Sequence, residues 1–177
     1  MSDDDRTTVY LAGPVQHVDR GGADWRTEVA EFYADEYDFR DPLSKYNIPA
    51  DDLVVVDGIS NPDNPTTGGV DEIVERDKGL INESDGLLVG YSAVRSIGTP
   101  MEVMYARDRD YPVALWVRDG TDFETLSPWY RYHATAVTND VGMALGHIER
   151  YANAEAPFDE PRQPNARVVD PAEVSGE

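Results

Sequence analysis

Short β-rich runs alternate with segments of helical periodicity along most of the chain, and this alternation limits the possible folds more than any other feature. Three runs have the nearly continuous apolar character of strands that are covered on both faces, at 7–12, 86–91 and 112–117. Segments with helical spacing are found at 24–33, 70–84, 99–108 and about 140–151. The alternation predicts right-handed βαβ units, and therefore an α/β fold with a single doubly wound, mainly parallel sheet and helices on both faces, of the Rossmann or flavodoxin-like kind.

The regular pattern ends near residue 153. We expect residues 1–153 to form one catalytic domain and residues 154–177, which are acidic and rich in proline, to form a flexible tail. Residues 44–69 are rich in Pro, Asn, Asp and Gly and predict a long irregular segment with one strand, Leu53–Val56. Loops of this length inside a domain are usually functional.

The charge of the chain restricts its partners and its environment. There are 35 acidic and 15 basic residues, which gives a formal net charge of −20, and there is no cysteine. The acidic excess predicts a surface adapted to high salt, where repulsion between carboxylates is screened, and it argues against binding to nucleic acid. Disulfides and thiolate metal sites are excluded. No apolar run approaches the roughly 18 residues that span a bilayer, so we expect a cytoplasmic protein with no membrane partner.

Asp77 is an acidic residue on the apolar face of its predicted helix. The apolar positions of that helix are Val70, Ile73, Val74, Leu80 and Ile81. Their spacing places Asp77 on the same face, where partial burial would raise its pKa. Such a carboxylate suits proton donation or contact with a substrate hydroxyl. The alternative is a structural carboxylate that is satisfied by backbone groups or by Arg76.

Glu102 also has two interpretations. Thr99 as N-cap, Pro100 at the first helical position and Glu102 at the third form a capping-box pattern, which would give the carboxylate a structural role. The same carboxylate follows a predicted strand, at the sheet edge where α/β proteins bind ligands. There it could attack an anomeric carbon, as in retaining glycosidases.

The first strand carries three further candidates. Gly13 and Pro14 follow it and either let backbone approach a ligand or form an ordinary turn. Tyr10 either packs in the core or orients a carboxylate at the end of the strand.

The dinucleotide pattern G-x-G-x-x-G is absent, which disfavours a nicotinamide oxidoreductase. The three histidines, His17, His133 and His147, lack the spacing of metal ligands, so we expect no catalytic metal.

Three segments, in this order, resemble the nucleoside 2-deoxyribosyltransferase superfamily, which includes hydrolases that cut the base from a nucleotide 5′-monophosphate. They are Tyr10-Leu-Ala-Gly-Pro14, the stretch 76–85 that contains Asp77, and Gly98-Thr-Pro-Met-Glu102 followed by Tyr105-Ala106. The resemblance extends over about residues 7–150.

The resemblance implies roles for the three side chains already singled out. Glu102 would be the nucleophile at C1′, Asp77 the carboxylate that contacts base or sugar and assists proton transfer, and Tyr10 the tyrosine that orients the nucleophile. No cofactor is implied. Members of the superfamily are often dimers or larger assemblies in which a neighbouring subunit completes each site, and 128–133 is the candidate segment here.

One position bears on the substrate. Ser96 stands six residues before Glu102, where the deoxyribosyltransferases commonly carry aspartate and the nucleotide hydrolases carry a serine that contacts the 5′-phosphate. With Gly98 and Thr99 it would form a phosphate-binding helix start, which Arg95 could assist. The acidic surface opposes an anionic substrate, so both substrate classes stay open.

We therefore expect an enzyme that cleaves the N-glycosidic bond of a (deoxy)nucleoside or its 5′-monophosphate through a covalent glycosyl intermediate on Glu102. The substrate-binding residues would be Gly13, Pro14, Ser96, Gly98 and Thr99. The alternative is a non-catalytic nucleotide-binding sensor on the same fold.

Overall fold

A computed structural model of the protein describes residues 6–15, 18–45, 54–56, 67–118, 120–153 and 167–168. The strands are β1 (Thr7–Ala12), β2 (Tyr37–Arg40), β3 (Val54–Val56), β4 (Thr67–Gly69), β5 (Gly86–Tyr91), β6 (Val113–Val117), β7 (Ala136–Thr138) and β8 (Arg167–Val168). The α-helices are α1 (Ala23–Phe32), α2 (Val70–Asn82), α3 (Gly98–Arg107), α4 (Pro128–His133) and α5 (Val141–Ala152).

The main sheet has the order β2-β1-β5-β6-β7-β8, and every pair of neighbouring strands in it is parallel. Apart from the edge strand β8, this is the flavodoxin-like order, in which the second strand along the chain lies outside the first and the later strands extend in the other direction. The predicted α/β fold class is confirmed. The strands β3 and β4 form a separate parallel pair.

Two apolar layers cover the sheet because alternate side chains of a strand point to opposite faces. On one face Tyr10, Leu87 and Val89 pack with Ile81 of α2 and Val103 of α3. On the other face the strands pack against α1 and α5. That second layer contains Val9, Leu11, Leu88, Trp25, Val29, Leu145 and Ile148. Burial on both faces explains why β1, β5 and β6 are apolar over almost their whole length.

Several helix boundaries differ from the sequence expectation. α1 begins after Gly22, whose φ of 71° favours glycine, and one residue before the predicted segment 24–33; Asp24 lies in its first turn and pairs with Arg20. Phe32, which falls within that predicted segment, is 79% exposed. α3 begins at Gly98 after Ile97, so the expected N-cap Thr99 is inside the helix.

The sequence reading missed α4 and the short strands β4, β7 and β8, although β4 and β8 lie in segments that were predicted to be irregular or flexible. α4 and β7 lie in a stretch with only weak periodicity, although Ser127 and Pro128 form an ordinary helix start in which the Ser127 hydroxyl accepts from the Tyr130 N–H. Most of 44–69, including the predicted strand residue Leu53, lies outside the described residues. The predicted tail 154–177 does too, apart from β8. No described helix is both long enough and apolar enough to cross a bilayer.

Candidate functional site

The candidate site lies at the carboxyl ends of β1 and β5. From β1 the chain passes through α1 to β2 on one side, and from β5 it passes through α3 to β6 on the other. Neighbouring parallel strands whose connections leave in opposite directions create a crevice at their carboxyl ends, and this crevice is where such folds bind ligands. Side chains from β1, α1, α2 and α3 can all reach this region.

Tyr10 and Glu102 meet at this crevice. The Tyr10 hydroxyl donates a hydrogen bond of 2.7 Å to Glu102 Oε1, although the two residues are 92 positions apart in the chain. Tyr10 is fully buried, so it is both a core residue and a partner of the carboxylate. The capping-box interpretation of Glu102 is wrong, because α3 begins before Thr99 and its N-cap has no side-chain hydrogen bond.

The environment of Glu102 raises its pKa to about 7 from an ordinary value of 4.5. Burial is the largest cause, and the negative charge of Asp77 adds to it. The hydrogen bond from Tyr10 and the positive charge of Arg26 lower the pKa and partly offset the burial. The side chain still keeps some exposed surface. The result is a carboxyl group with a pKa near neutral, on a residue that is only partly buried.

Asp77 lies on α2, half-buried, and its charge acts on both Glu102 and Tyr10. These interactions put all three side chains in one electrostatic neighbourhood. The helix face of Asp77 is less buried than its spacing predicts, because Ile81 is buried whereas Val70 and Val74 are 38% and 45% exposed. Arg76, the other partner considered for Asp77, donates to the carbonyl oxygen of Pro42.

Burial and the nearby carboxylates raise the pKa of Tyr10. Its hydroxyl therefore keeps its proton and acts as a donor. A donor at one carboxylate oxygen fixes the orientation of Glu102 and leaves the second oxygen for other contacts.

Ser96 organises the start of α3. Its Oγ accepts a hydrogen bond of 3.2 Å from the Thr99 N–H and lies 2.9 Å from Thr99 Oγ1. Thr99 is 2% exposed, whereas Gly98 is exposed with open space where a Cβ would stand. The Ser96 hydroxyl, which was expected to contact a phosphate, is thus hydrogen-bonded to the start of α3.

Gly13 and Pro14 are buried directly after β1. A Cβ on Gly13 would lie 3.0 Å from Trp25 Cζ2 and 3.3 Å from Arg26 Nη2. These contacts give Gly13 a packing reason in addition to any contact with a ligand.

Two residues near the crevice were missed from the sequence. Arg26 is 1% exposed on α1, between Trp25 and Val29, and the reasoning that singled out Asp77 on an apolar helix face would have found it. Ser92 follows β5 directly, and its hydroxyl is buried without a hydrogen-bond partner in the described part of the chain. No pattern in the sequence marks Ser92.

An apolar surface formed by α3 and α4 adjoins Glu102; we call it the α3–α4 surface. It encloses a cavity of about 230 Å³ lined by Pro100, Met101, Val103, Met104, Trp129, Tyr130 and His133. The aromatic segment 128–133 is therefore a helix packed on α3. Tyr130 is half-buried, and burial, followed by the charges of Tyr91 and Glu102, raises its pKa. Trp129 is 67% exposed and stacks on His133.

The described residues contain no group of three or more His, Asp or Glu side chains arranged to hold a metal ion. His147 hydrogen-bonds Thr135 from α5, and His133 contacts the Trp129 carbonyl, so they lie in different environments. His17 lies outside the described residues. The absence of a metal requirement stays a prediction.

Comparison with known proteins leaves the family open. No protein-family model matches the chain, and no curated protein matches it. Among solved structures, the chain is similar to a conserved protein from Enterococcus faecalis V583, with 15% identity over 95% of this chain and 93% of that chain and a TM-score of 0.48. A likeness at this level carries no information about activity.

Proposed function

We propose that this protein cleaves the N-glycosidic bond of a (deoxy)nucleoside or its 5′-monophosphate, as a nucleoside 2-deoxyribosyltransferase or a nucleotide N-hydrolase, with Glu102 as nucleophile. The observation that carries the proposal is the 2.7 Å hydrogen bond between Tyr10 and Glu102 at the crevice between β1 and β5. The motif resemblance supplies the reaction class, and the pKa of about 7 gives a carboxyl group that can ionise at neutral pH.

The reaction has two displacement steps. In the first, the free oxygen of Glu102 forms a bond to C1′ as the bond from C1′ to the base nitrogen breaks, and the base leaves with a proton delivered by Asp77 or by water. In the second, water or another base attacks C1′ from the opposite side to the ester and releases Glu102. Water gives hydrolysis and a base gives transfer. Neither step calls for a cofactor.

Electrostatics support this division of roles. Tyr10 stabilises the carboxylate form of Glu102 before attack and can keep its hydrogen bond to the ester oxygen afterwards. The charge of Asp77 disfavours ionisation of Glu102. This suits a pair of carboxyl groups of which one acts as nucleophile and the other as proton donor. Serine at position 96 favours a nucleotide substrate, as in the nucleotide hydrolases, whereas the acidic surface opposes an anionic substrate. The assay below therefore has to decide between hydrolysis and transfer.

The proposal includes assembly into a homodimer or larger homo-oligomer through the α3–α4 surface. Met101 and Trp129 are 61% and 67% exposed there, in a chain that is otherwise strongly acidic. Sedimentation of a Trp129→Glu variant tests this part. We expect the variant to be monomeric, and a Phe32→Glu variant, which changes an exposed ring on α1, to keep the assembly. Equal sedimentation of the two variants and the wild type would rule this surface out.

The central experiment is a substrate panel. The protein is incubated with nucleosides and 5′-monophosphates, in low salt and in concentrated KCl, with and without a second base, and free bases are separated by chromatography. Release without an acceptor identifies a hydrolase, and exchange only with an acceptor identifies a transferase. The proposed adaptation to a saline cytoplasm predicts higher turnover in KCl.

Two variants make the assay specific for the site. Glu102→Gln should abolish turnover while leaving the fold intact, and Glu124→Gln, which changes an exposed carboxylate, should turn over like the wild type. Turnover by folded Glu102→Gln contradicts the nucleophile. No reaction on any substrate, with binding retained, contradicts the enzyme and favours a nucleotide-binding sensor.

A further inference from the structure

Arg26 is a buried cation that donates hydrogen bonds to backbone carbonyl groups at the end of β1 and before the start of α1. Its Nε donates to the Leu11 carbonyl at 3.2 Å, Nη2 to the Gly13 carbonyl at 2.9 Å and Nη1 to the Gly22 carbonyl at 3.1 Å. The first two carbonyls belong to the end of β1 and the third precedes α1. The guanidinium therefore joins the last residues of β1 to the start of α1.

The packing around Arg26 admits little freedom. A Cβ on Gly22 would lie 3.0 Å from Arg26 Nη1. The backbone φ of Gly22, 71°, also favours glycine. The guanidinium carbon lies 4.6 Å from the centre of the Trp25 ring. Since Tyr10 directly precedes Leu11, the backbone that Arg26 holds is the one that presents the Tyr10 hydroxyl to Glu102.

A buried guanidinium needs negative charge close by, because the loss of hydration is otherwise costly. The ion pair between Arg26 Nε and Asp41 Oδ1 is long, at 3.7 Å, and Asp41 is partly exposed. Burial lowers the pKa of Arg26, the negative charges of Asp41 and Glu102 oppose that effect, and the positive charge of Arg118 adds to it. The charges that act on Glu102 are Asp77 and Arg26, beside the hydrogen bond from Tyr10.

We propose that Arg26 is a positioning residue of this site, which supplies an internal positive charge that favours the ionised form of Glu102 and fixes the backbone at 11–13 that carries Tyr10 to it. Its consequence for turnover rests on the proposed function of Glu102. The electrostatic coupling between Arg26 and Glu102 does not depend on that function, and it can be measured without a substrate.

The test is a ¹³C NMR titration of the Glu102 side-chain carboxyl in the wild type and three variants. Arg26→Gln removes the charge but keeps an amide donor, and should raise the pKa of Glu102. Arg26→Lys keeps the charge and should titrate within about half a unit of the wild type. Asp41→Asn, the matched control, changes the other partner of the guanidinium and should leave Glu102 unchanged.

A folded Arg26→Gln variant whose Glu102 titrates like the wild type overturns the inference. In a turnover assay the same variant should lose kcat/KM at neutral pH, by about fivefold if the pKa rises by one unit, and should recover in alkaline buffer. A structural role alone would lower turnover equally at every pH. If Glu102→Gln keeps full activity, the proposed function fails, whereas the NMR shift still decides the role of Arg26.

Should Arg26→Gln fail to fold, the coupling is measured from the arginine in the wild type. The ¹⁵N resonance of Arg26 Nε is followed through neutral pH. We expect an inflection at the pKa of Glu102 that disappears in Glu102→Gln. A resonance with no inflection, or one that persists in Glu102→Gln, overturns the inference.

Discussion

The Tyr10→Phe substitution removes one hydroxyl from the candidate site and leaves the ring in the core. That hydroxyl donates the 2.7 Å hydrogen bond to Glu102, which lowers the pKa of the carboxyl group. A hydrogen bond to a charged group contributes about 1.5–3 kcal/mol. Since one pKa unit corresponds to roughly 1.4 kcal/mol, its loss should raise the pKa of Glu102 by about one to two units.

The size of the kinetic effect follows from the ionised fraction. With a pKa of about 7, Glu102 is half ionised at neutral pH. A rise of one to two units would reduce the ionised fraction about 5- to 50-fold, and kcat/KM for base release should fall by the same factor. In alkaline buffer, about two units higher, the variant should return to within roughly twofold of the wild type.

The assay is the pH profile of kcat/KM for base release, measured for the wild type and Tyr10→Phe. Tyr37→Phe is a matched control, because the Tyr37 hydroxyl also donates to a glutamate, Glu149, at 3.1 Å outside the site. We expect its profile to coincide with that of the wild type. A folded Tyr10→Phe variant with an unshifted acid limb, or with the same loss at every pH, would refute the electrostatic role of Tyr10.

Three further predictions concern Glu102, Asp77 and Gly90. The pKa of Glu102 is higher in the folded state than its ordinary 4.5, so this group stabilises the fold most at low pH, and that contribution is lost as the pH rises through about 7. Glu102→Gln should therefore be more stable than the wild type above neutral pH, by up to about 3 kcal/mol. The difference, measured by urea unfolding, should vanish below pH 4.5. A difference that does not change with pH would contradict the raised pKa of Glu102. Asp77→Asn removes a charge that raises the pKa of Glu102, so the ¹³C titration of Glu102 should move below 7, and an upward movement would contradict the placement of Asp77. Gly90→Ala would place a Cβ 2.7 Å from Trp25 Cζ2 and should cost about 1–3 kcal/mol in unfolding free energy; Gly146→Ala on α5, where nothing lies within 4 Å, is the control, and equal stability of the two variants would contradict the packing at Trp25.

The strands of the site were predictable because their residues leave few alternatives. The run Gly86–Tyr91 begins and ends as predicted, and so does Thr7–Ala12. Both are buried throughout or nearly so, and a short apolar run between turn residues fits a covered parallel strand. Parallel topology then brings the ends of both strands to one edge, which is why Tyr10 and Glu102 could be expected near each other.

Helix boundaries and exposure were less predictable because they depend on neighbours in space. Phe32 lies on the same helical face as the buried Trp25 and Val29, yet its ring is 79% exposed. Thr99, Pro100 and Glu102 match a capping box, yet Ser96 binds the Thr99 N–H from outside the helix. A local sequence pattern indicates which hydrogen bonds are possible, and the tertiary packing of the chain determines which of them form.

The sequence by itself determined the layered α/β fold and the two strands whose ends form the crevice, because apolar periodicity is a local property that survives in any arrangement of the chain. Only the tertiary structure decided that Tyr10 donates to Glu102 and that Arg26 lies buried beside them. Those facts, and the pKa of Glu102 that follows from them, depend on burial and on distances between residues far apart in the chain. Burial and electrostatic coupling arise only when α1, α2 and α3 close around the end of β1.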